Sequence, residues 1–327
     1  MSQRVLITGA SGFLGYHLVM AAIEKDLKVY AAVRKNSKID HLKDLPVTYV
    51  HLNYEDGDEM AKVLEENAIN FIIHAAGVTK AVKQEEYNYV NATFSVNLAK
   101  AVKKNNAHFQ KMVFISSLAA VGPANDDNSL ITEQTNPKPV TAYGRSKLLA
   151  ENELSKIKIP LTILRPTAIY GPRDKDIFII LKTVSRGFDP YIGKIVQHLS
   201  FVHAKDVAEV AVAALFVDAV GIYNISDGNR YNRYQFADIT KSLLGKNAFR
   251  FHMPMPIVKV LAYFLETTNG WAKKPAVLNR EKLHELAAKN WSCDISKAKI
   301  ELSFKPRFNL EDGLKDSIEW YQKNKML

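Results

Sequence analysis

Tyr143 and Lys147 stand four residues apart in the stretch AYGRSKLLAENEL. Its apolar residues recur at helical spacing, so both side chains share one helix face. A phenol with an ordinary pKa of about 10 is a poor base at neutral pH. An ammonium held beside it favours the phenolate and moves it toward the range in which protons are exchanged with a substrate. The nine histidines form no HExxH and no close ligand pair, so no metal site is expected, and His74 in HAAG reads as structural.

A second chemical pattern lies at the beginning of the chain. In LITGASGFLGYHL an apolar run leads into Thr8-Gly9-Ala10-Ser11-Gly12-Phe13-Leu14-Gly15 and then into a helical pattern. Gly9 permits a tight turn, Gly12 lets the backbone approach a pyrophosphate, and Gly15 lets the helix pack on the strand. A diphosphate then sits on the open N–H groups of the helix start. The expected cofactor contacts are Gly9, Ser11, Gly12, Phe13, Leu14 and Gly15. A ribose-binding acid is expected about 20 residues farther on. The chain has Val33-Arg34-Lys35 and Lys38 there, with no carboxylate before Asp40. Arg34 and Lys38 suit a 2′-phosphate, so NADP(H) is the preferred cofactor and NAD(H) the alternative, with Arg34 then stacking on adenine. The positive charge of the nicotinamide would add to that of Lys147 in favouring the Tyr143 phenolate.

These groups need a scaffold. RVLITG, KVYAAVR, PVTYVHL, NFIIHAAG, KMVFISS and PLTILRP are short, apolar and β-branched, and helical patterns separate them. Strands alternating with helices predict an α/β fold, a doubly wound parallel Rossmann sheet with a smaller C-terminal substrate lobe. Residues 1–172 are expected to form the dinucleotide-binding part, with later segments crossing back. Residues 173–327 are expected to be mainly the substrate lobe.

Of 327 residues, 47% are hydrophobic, enough for a full core. The only cysteine is Cys293, so no internal disulfide can form. The first residues enter a strand-like run at once, and the longest apolar-rich segment, from Val207, is broken by Glu209 and Asp218. A soluble, cytoplasmic chain is expected. Net charge is +10, but the lysines are scattered rather than gathered into an arm. A solvated basic surface and a phosphate-rich cofactor account for that charge, and nucleic acid is not an expected partner.

Taken in order, TGxxGxxG, HAAG at 74–77, SS at 116–117, YGRSK at 143–147, RPTAIYGP at 165–172 and FVHAKDVAEV at 201–210 resemble the extended short-chain dehydrogenase/reductases. That family includes sugar-nucleotide epimerases, dihydroflavonol reductase-like ketoreductases and 3β-hydroxysteroid dehydrogenase-like enzymes, and the resemblance covers essentially the whole chain. It implies a catalytic set of Ser117, Tyr143 and Lys147, with Ser117 rather than Ser116 steadying the substrate oxygen. Tyr143 and Lys147 would also touch the cofactor, as would Ala75, Ala76, Gly77, Pro166 and Thr167. Asn53 stands where relatives usually have an adenine-contacting Asp, and Asn91 and Asn97 where they carry structural or water-relaying asparagines. Sugar-nucleotide epimerases usually show an Asn where this chain has Ala168. The resemblance therefore implies a hydride-transferring reductase of a small-molecule carbonyl or alcohol, non-sugar and apolar. A sugar-nucleotide 4-epimerase or dehydratase with tightly bound NAD is the alternative, and a non-catalytic NADP-binding regulator a third. Relatives commonly dimerise, so a homodimer or a monomer is expected. The apolar segment 255–274 reads as pocket or core, or alternatively as a peripheral membrane contact giving access to a lipidic ketone.

Overall fold

The structure is a computed structural model that describes residues 2–105, 107–260 and 280–327. The segment 255–274 thus lies, from residue 261 on, outside the described residues.

Seven parallel strands form the central sheet: β1 (Arg4–Thr8), β2 (Lys28–Ala32), β3 (Val47–Val50), β4 (Phe71–His74), β5 (Lys111–Ile115), β6 (Leu161–Pro166) and β11 (Gly221–Ile225). Their order is β11-β6-β5-β4-β1-β2-β3. The strand order therefore reverses between β1 and β4, the position at which a doubly wound sheet opens a crevice at its carboxyl edge.

The alternation of side chains along these strands builds two cores. Val5, Ile7, Ile73, Val113 and Ile115 face one side, where helix α1 (Phe13–Glu24) and helix α7 (Ala204–Ala213) cover them. Leu6, Ile72, Met112, Phe114 and Ile163 face the other. There they meet α2 (Gly57–Glu66), α4 (Phe94–Asn105) and α5 (Ala142–Ser155). Asp56 caps α2 by accepting from the N–H groups of Asp58 and Glu59, both at 2.9 Å. Thr141 Oγ1 caps α5 by accepting from Gly144 N at 3.0 Å. These caps satisfy donors that the first helical turn leaves open.

A short helix, α3 (Gln84–Asn88), precedes α4. After β6 the chain leaves the sheet through β7 (Ala168–Tyr170), α6 (Lys175–Ser185), β8 (Phe188–Ile192), β9 (His198–Leu199) and β10 (Phe201–His203). It returns through α7 to add β11, and goes on through β12 (Tyr231–Asn232), α8 (Gln235–Leu244) and β13 (Phe249–Met253). A third core joins Tyr170, Leu181, Phe201, Phe236 and the helix Leu310–Lys323. Tyr170 is fully buried and donates to Asn309 O at 3.0 Å. Its ring lies where a side chain on Gly313 would stand: a Cβ there would be 2.1 Å from the phenol oxygen and 2.7 Å from Cζ. Among the described residues no helix is long and apolar enough to cross a membrane.

Gly313→Ala overpacks this junction and is expected to lower unfolding free energy by about 2–3 kcal/mol. A urea titration against the wild type checks this, and in combination with Tyr170→Ala the total loss should be smaller than the sum of the two separate losses, because the clash is gone.

Candidate active site

The glycine loop joins β1 to α1 at the reversal of strand order. Gly9 has φ +70°, and a Cβ on it would lie 2.9 Å from the Ala75 carbonyl carbon and from Ala76 N, so the loop runs against the end of β4. A Cβ on Gly15 would lie 2.0 Å from Gly9 O, so only glycine lets α1 start this close to the turn. Gly12 N donates to Gly9 O at 2.9 Å. No side chain caps α1 and no acid lies in its first turn, which leaves its positive end suited to an anion. Ser11, Phe13 and Leu14 line this start and are partly buried.

A buried polar chain continues inward from the loop. Thr8 Oγ1 accepts from Ala76 N at 3.1 Å and lies 2.6 Å from His74 Nδ1. His74 Nε2 lies 2.8 Å from Ser95 Oγ, which donates to Asn91 O at 2.7 Å. Since the Ser95 proton is committed to that carbonyl, Nε2 carries the imidazole proton and Nδ1 accepts from Thr8. Burial, followed by the charge of Lys147, lowers the His74 pKa to about 3, so the ring is neutral. Asn91 sits in a π-helical turn, Tyr89–Thr93, and is fully buried. Its amide holds Val78 N at 2.8 Å and Val78 O at 3.0 Å, and donates to Ser146 Oγ at 2.9 Å. Ser146 Oγ donates in turn to Tyr143 O at 2.7 Å. Asn97 instead donates to Tyr54 O at 2.8 Å.

Tyr143, Lys147 and Ser117 meet at the carboxyl end of β5. Lys147 is almost fully buried; its Nζ donates to Ile115 O at 2.9 Å and lies 4.8 Å from the centre of the Phe114 ring. Desolvation lowers its pKa to about 8, against the raising effect of Glu151. Ser117 hydrogen-bonds the Tyr143 hydroxyl and accepts from Ala119 N at 3.2 Å. Ser116 points elsewhere, donating to Glu151 Oε1. The expected lowering of the Tyr143 pKa counts on the positive charge of a nicotinamide as well as on Lys147. Burial pushes that pKa up to about 12 and outweighs the lowering by Ser117, so the chain's own groups hold the phenol protonated.

Sequence reasoning missed Glu151 and Arg165. Arg165 donates from Nε to Glu151 Oε1 and Oε2 at 3.0 and 3.1 Å, and from Nη2 to Oε2 at 2.5 Å. Side-chain exposures of 3% and 2% make this a desolvated ion pair. An acid one turn beyond Lys147 on the same face, and an arginine in a buried strand, were the available signals.

The remaining expected residues fall around this centre. Ala75 and Ala76 are partly buried against the glycine loop, and a Cβ on Gly77 would stand 3.6 Å from Lys147 Nζ. Thr167 follows Pro166 at the end of β6, and its Oγ1 is buried without a hydrogen-bond partner among the described residues. Arg34 and Lys38 are exposed beyond β2. Asn53 is already engaged: it accepts from Glu55 N at 3.2 Å and donates to Glu59 at 3.1 Å, so its amide shapes its own turn. An uncapped helix start, an orphaned hydroxyl at the edge of β6 and a tyrosine–lysine pair between them fit a nicotinamide dinucleotide laid across the strand ends. Among the described residues no group of His, Cys, Asp and Glu could hold a metal ion.

The sequence model of the NAD dependent epimerase/dehydratase family matches residues 5–226. The chain belongs to that family. A ceramide reductase of Caulobacter vibrioides is 27% identical over 97% of this chain and 94% of its own length. A dTDP-D-glucose 4,6-dehydratase of Mus musculus is 25% identical over 99% of this chain and 90% of its own. The crystal structure of a UDP-glucose 4-epimerase with UDP-glucose from Thermotoga maritima superposes with a TM-score of 0.81 at 21% identity, covering 99% of this chain and all of that one. The family member described here is thus an NAD(P)-dependent enzyme of the extended short-chain type.

Two buried neutral histidines make its stability acid-sensitive. The His74 pKa is lowered to about 3, and that of His17, whose Nε2 lies 2.9 Å from Pro172 O, to about 4, in both cases chiefly by burial. An unfolded histidine titrates near 6.5, so between these values the unfolded chain binds the extra proton and stability falls as pH falls. Each ring contributes a slope of up to about 1.4 kcal/mol per pH unit below pH 6.5. His74→Gln or His17→Gln should flatten the decline by about one proton's worth, read from urea midpoints between pH 7 and pH 4.5.

Proposed function

We propose that this enzyme is an NADP(H)-dependent ketoreductase acting on the carbonyl, or the corresponding secondary alcohol, of a non-sugar, apolar substrate in the cytoplasm. The observation that carries this reading is the exposed methyl group of Ala168 just beyond Thr167, where a sugar-nucleotide enzyme would present an amide. Arg34 and Lys38, which follow β2 with no carboxylate before Asp40, support the 2′-phosphate. The relative named ceramide reductase supports reduction of a lipid-like compound.

A bound nicotinamide supplies the hydride. The Tyr143 hydroxyl, kept protonated by burial, donates its proton to the carbonyl oxygen as charge develops there. Ser117 Oγ, whose lone pair already accepts from Ala119 N, donates to the same oxygen. Lys147 keeps a positive charge beside the phenolate that results, and its own bond to Ile115 O fixes it there. In the reverse direction the same groups accept the proton.

Purified enzyme should consume NADPH in preference to NADH with long-chain, steroid or aryl ketones. Tyr143→Phe should lower kcat by about 10²–10⁴-fold. Arg34→Ala should raise KM for NADPH by about 10- to 100-fold and leave NADH use unchanged. Interconversion of a UDP-sugar with no net consumption of NADPH would overturn the reading in favour of the epimerase alternative.

A further inference from the structure

The smaller lobe carries an apolar face that the catalytic group does not use. There β8 (Phe188–Ile192) and β13 (Phe249–Met253) pair in parallel, with Phe188 opposite Phe249 and Pro190 opposite Phe251. Alternate strand residues face opposite ways, so these four share one face, and Asp189, Tyr191, Arg250 and His252 share the other. The second face is packed. Asp189 accepts from Arg250 at 2.8 Å and from Lys241 at 3.2 Å, while the Tyr191 ring centre lies 4.7 Å from that of Tyr234, which stands at the N-cap of α8 (Gln235–Leu244), and 5.7 Å from His252. The first face is open: Phe249 is 72% exposed and Phe188 55%, with the Phe249 and Phe251 rings stacked 6.1 Å apart. Aromatic rings this exposed and in register mark a contact surface.

Charge selects the partner. Arg186 and Lys246 precede Phe188 and Phe249 by two and three residues, both are exposed, and neither joins an ion pair recorded among the described residues. Lys246 Nζ donates to Ser185 O at 3.2 Å, which sets it beside Arg186 at the end of α6. The acids nearby, Asp189 and Asp238, are taken up by Lys241 and Arg250. Ile179, 58% exposed, lies two helical turns before Arg186 on the same stripe of α6. Exposed aromatic and aliphatic side chains flanked by uncompensated cations are the composition of a contact with anionic headgroups.

The position also suits the site. The start of α6 is tied to the loop beyond Gly77 by Lys80 and Asp176, 2.7 Å apart. The helix then runs for 11 residues, about 16 Å, to the aromatic face. We propose that the Phe188–Phe249 face docks on a bilayer surface containing anionic lipid, with the mouth of the site beside it. Its purpose rests on the apolar-substrate reading; its test does not.

The full chain is sedimented with vesicles of phosphatidylcholine alone and of phosphatidylcholine with an equal part of phosphatidylglycerol. The mixed vesicles should capture it, less so in high salt, and the neutral ones only weakly. Phe188→Ser with Phe249→Ser, and separately Arg186→Glu with Lys246→Glu, should each lower partitioning about tenfold or more. NADPH binding and thermal midpoint should stay at wild-type values, which separates lost docking from lost folding. Wild-type protein that stays in solution, or double variants that sediment like it, would overturn the proposal. A mass of two chains that falls to one in the phenylalanine variant, with no vesicle binding, would overturn it as well and make the face a self-interface. Ketone turnover is measured separately, so failure of the docking leaves the reductase reading standing, and the reverse.

Discussion

Lys147 is an ammonium removed from water at the carboxyl edge of a parallel sheet, and much of the surrounding structure follows from that cost. An isolated charge there would be strongly disfavoured. Glu151, one turn farther along α5, offsets it, and Glu151 is in turn neutralised by Arg165 from β6. The Ser116 hydroxyl completes the carboxylate's bonds from the end of β5. One cluster of charges therefore fastens the helix that bears Tyr143 to two adjacent strands. Removing a single member of such a buried pair typically costs about 3–5 kcal/mol, so the placement of the helix that bears Tyr143 and the burial of the Lys147 charge have a common physical basis.

A second, uncharged chain supports the same helix from the other side. It runs from the glycine loop through Thr8, His74, Ser95 and Asn91 to Ser146. Each hydroxyl and ring nitrogen in it has one assigned direction of donation, which is what makes a buried polar network rigid instead of merely tolerated. The neutral state of His74 is essential to that order, and the positive charge of Lys147 helps enforce it. The glycine loop and the helix that bears Tyr143 are thus held by one set of hydrogen bonds.

The relatives named reductase and dehydratase align with this chain over nearly their whole length, and the structure named epimerase has the same fold. A common scaffold for hydride transfer leaves the choice of reaction to a few side chains around it. In the reading proposed for this chain those are the methyl group of Ala168, the exposed cations beyond β2 and the segments beyond β7. The lobe packs on its own core around Tyr170, so its surface can differ without disturbing the sheet.

Local features of the chain were legible without its fold. Glycine spacing at 9, 12 and 15, alternating apolar strands, and the four-residue step from Tyr143 to Lys147 are short-range periodicities that any window of sequence displays. Those periodicities led to the doubly wound sheet, and the order of the motifs carried the resemblance to the family. Pairings across long separations were not legible. Nothing near Glu151 names Arg165, nothing near Val78 names Asn91, and the clearance for Tyr170 lies at Gly313. The direction of the Tyr143 shift belongs with these, because burial depends on what packs around the phenol and not on the neighbouring ammonium alone. The sequence by itself determined which elements form and which groups could react, since backbone periodicity is encoded residue by residue. Tertiary structure alone decided which acid neutralises the buried arginine and which carbonyl holds the buried lysine, because desolvation and pairing exist only once distant segments close on one another.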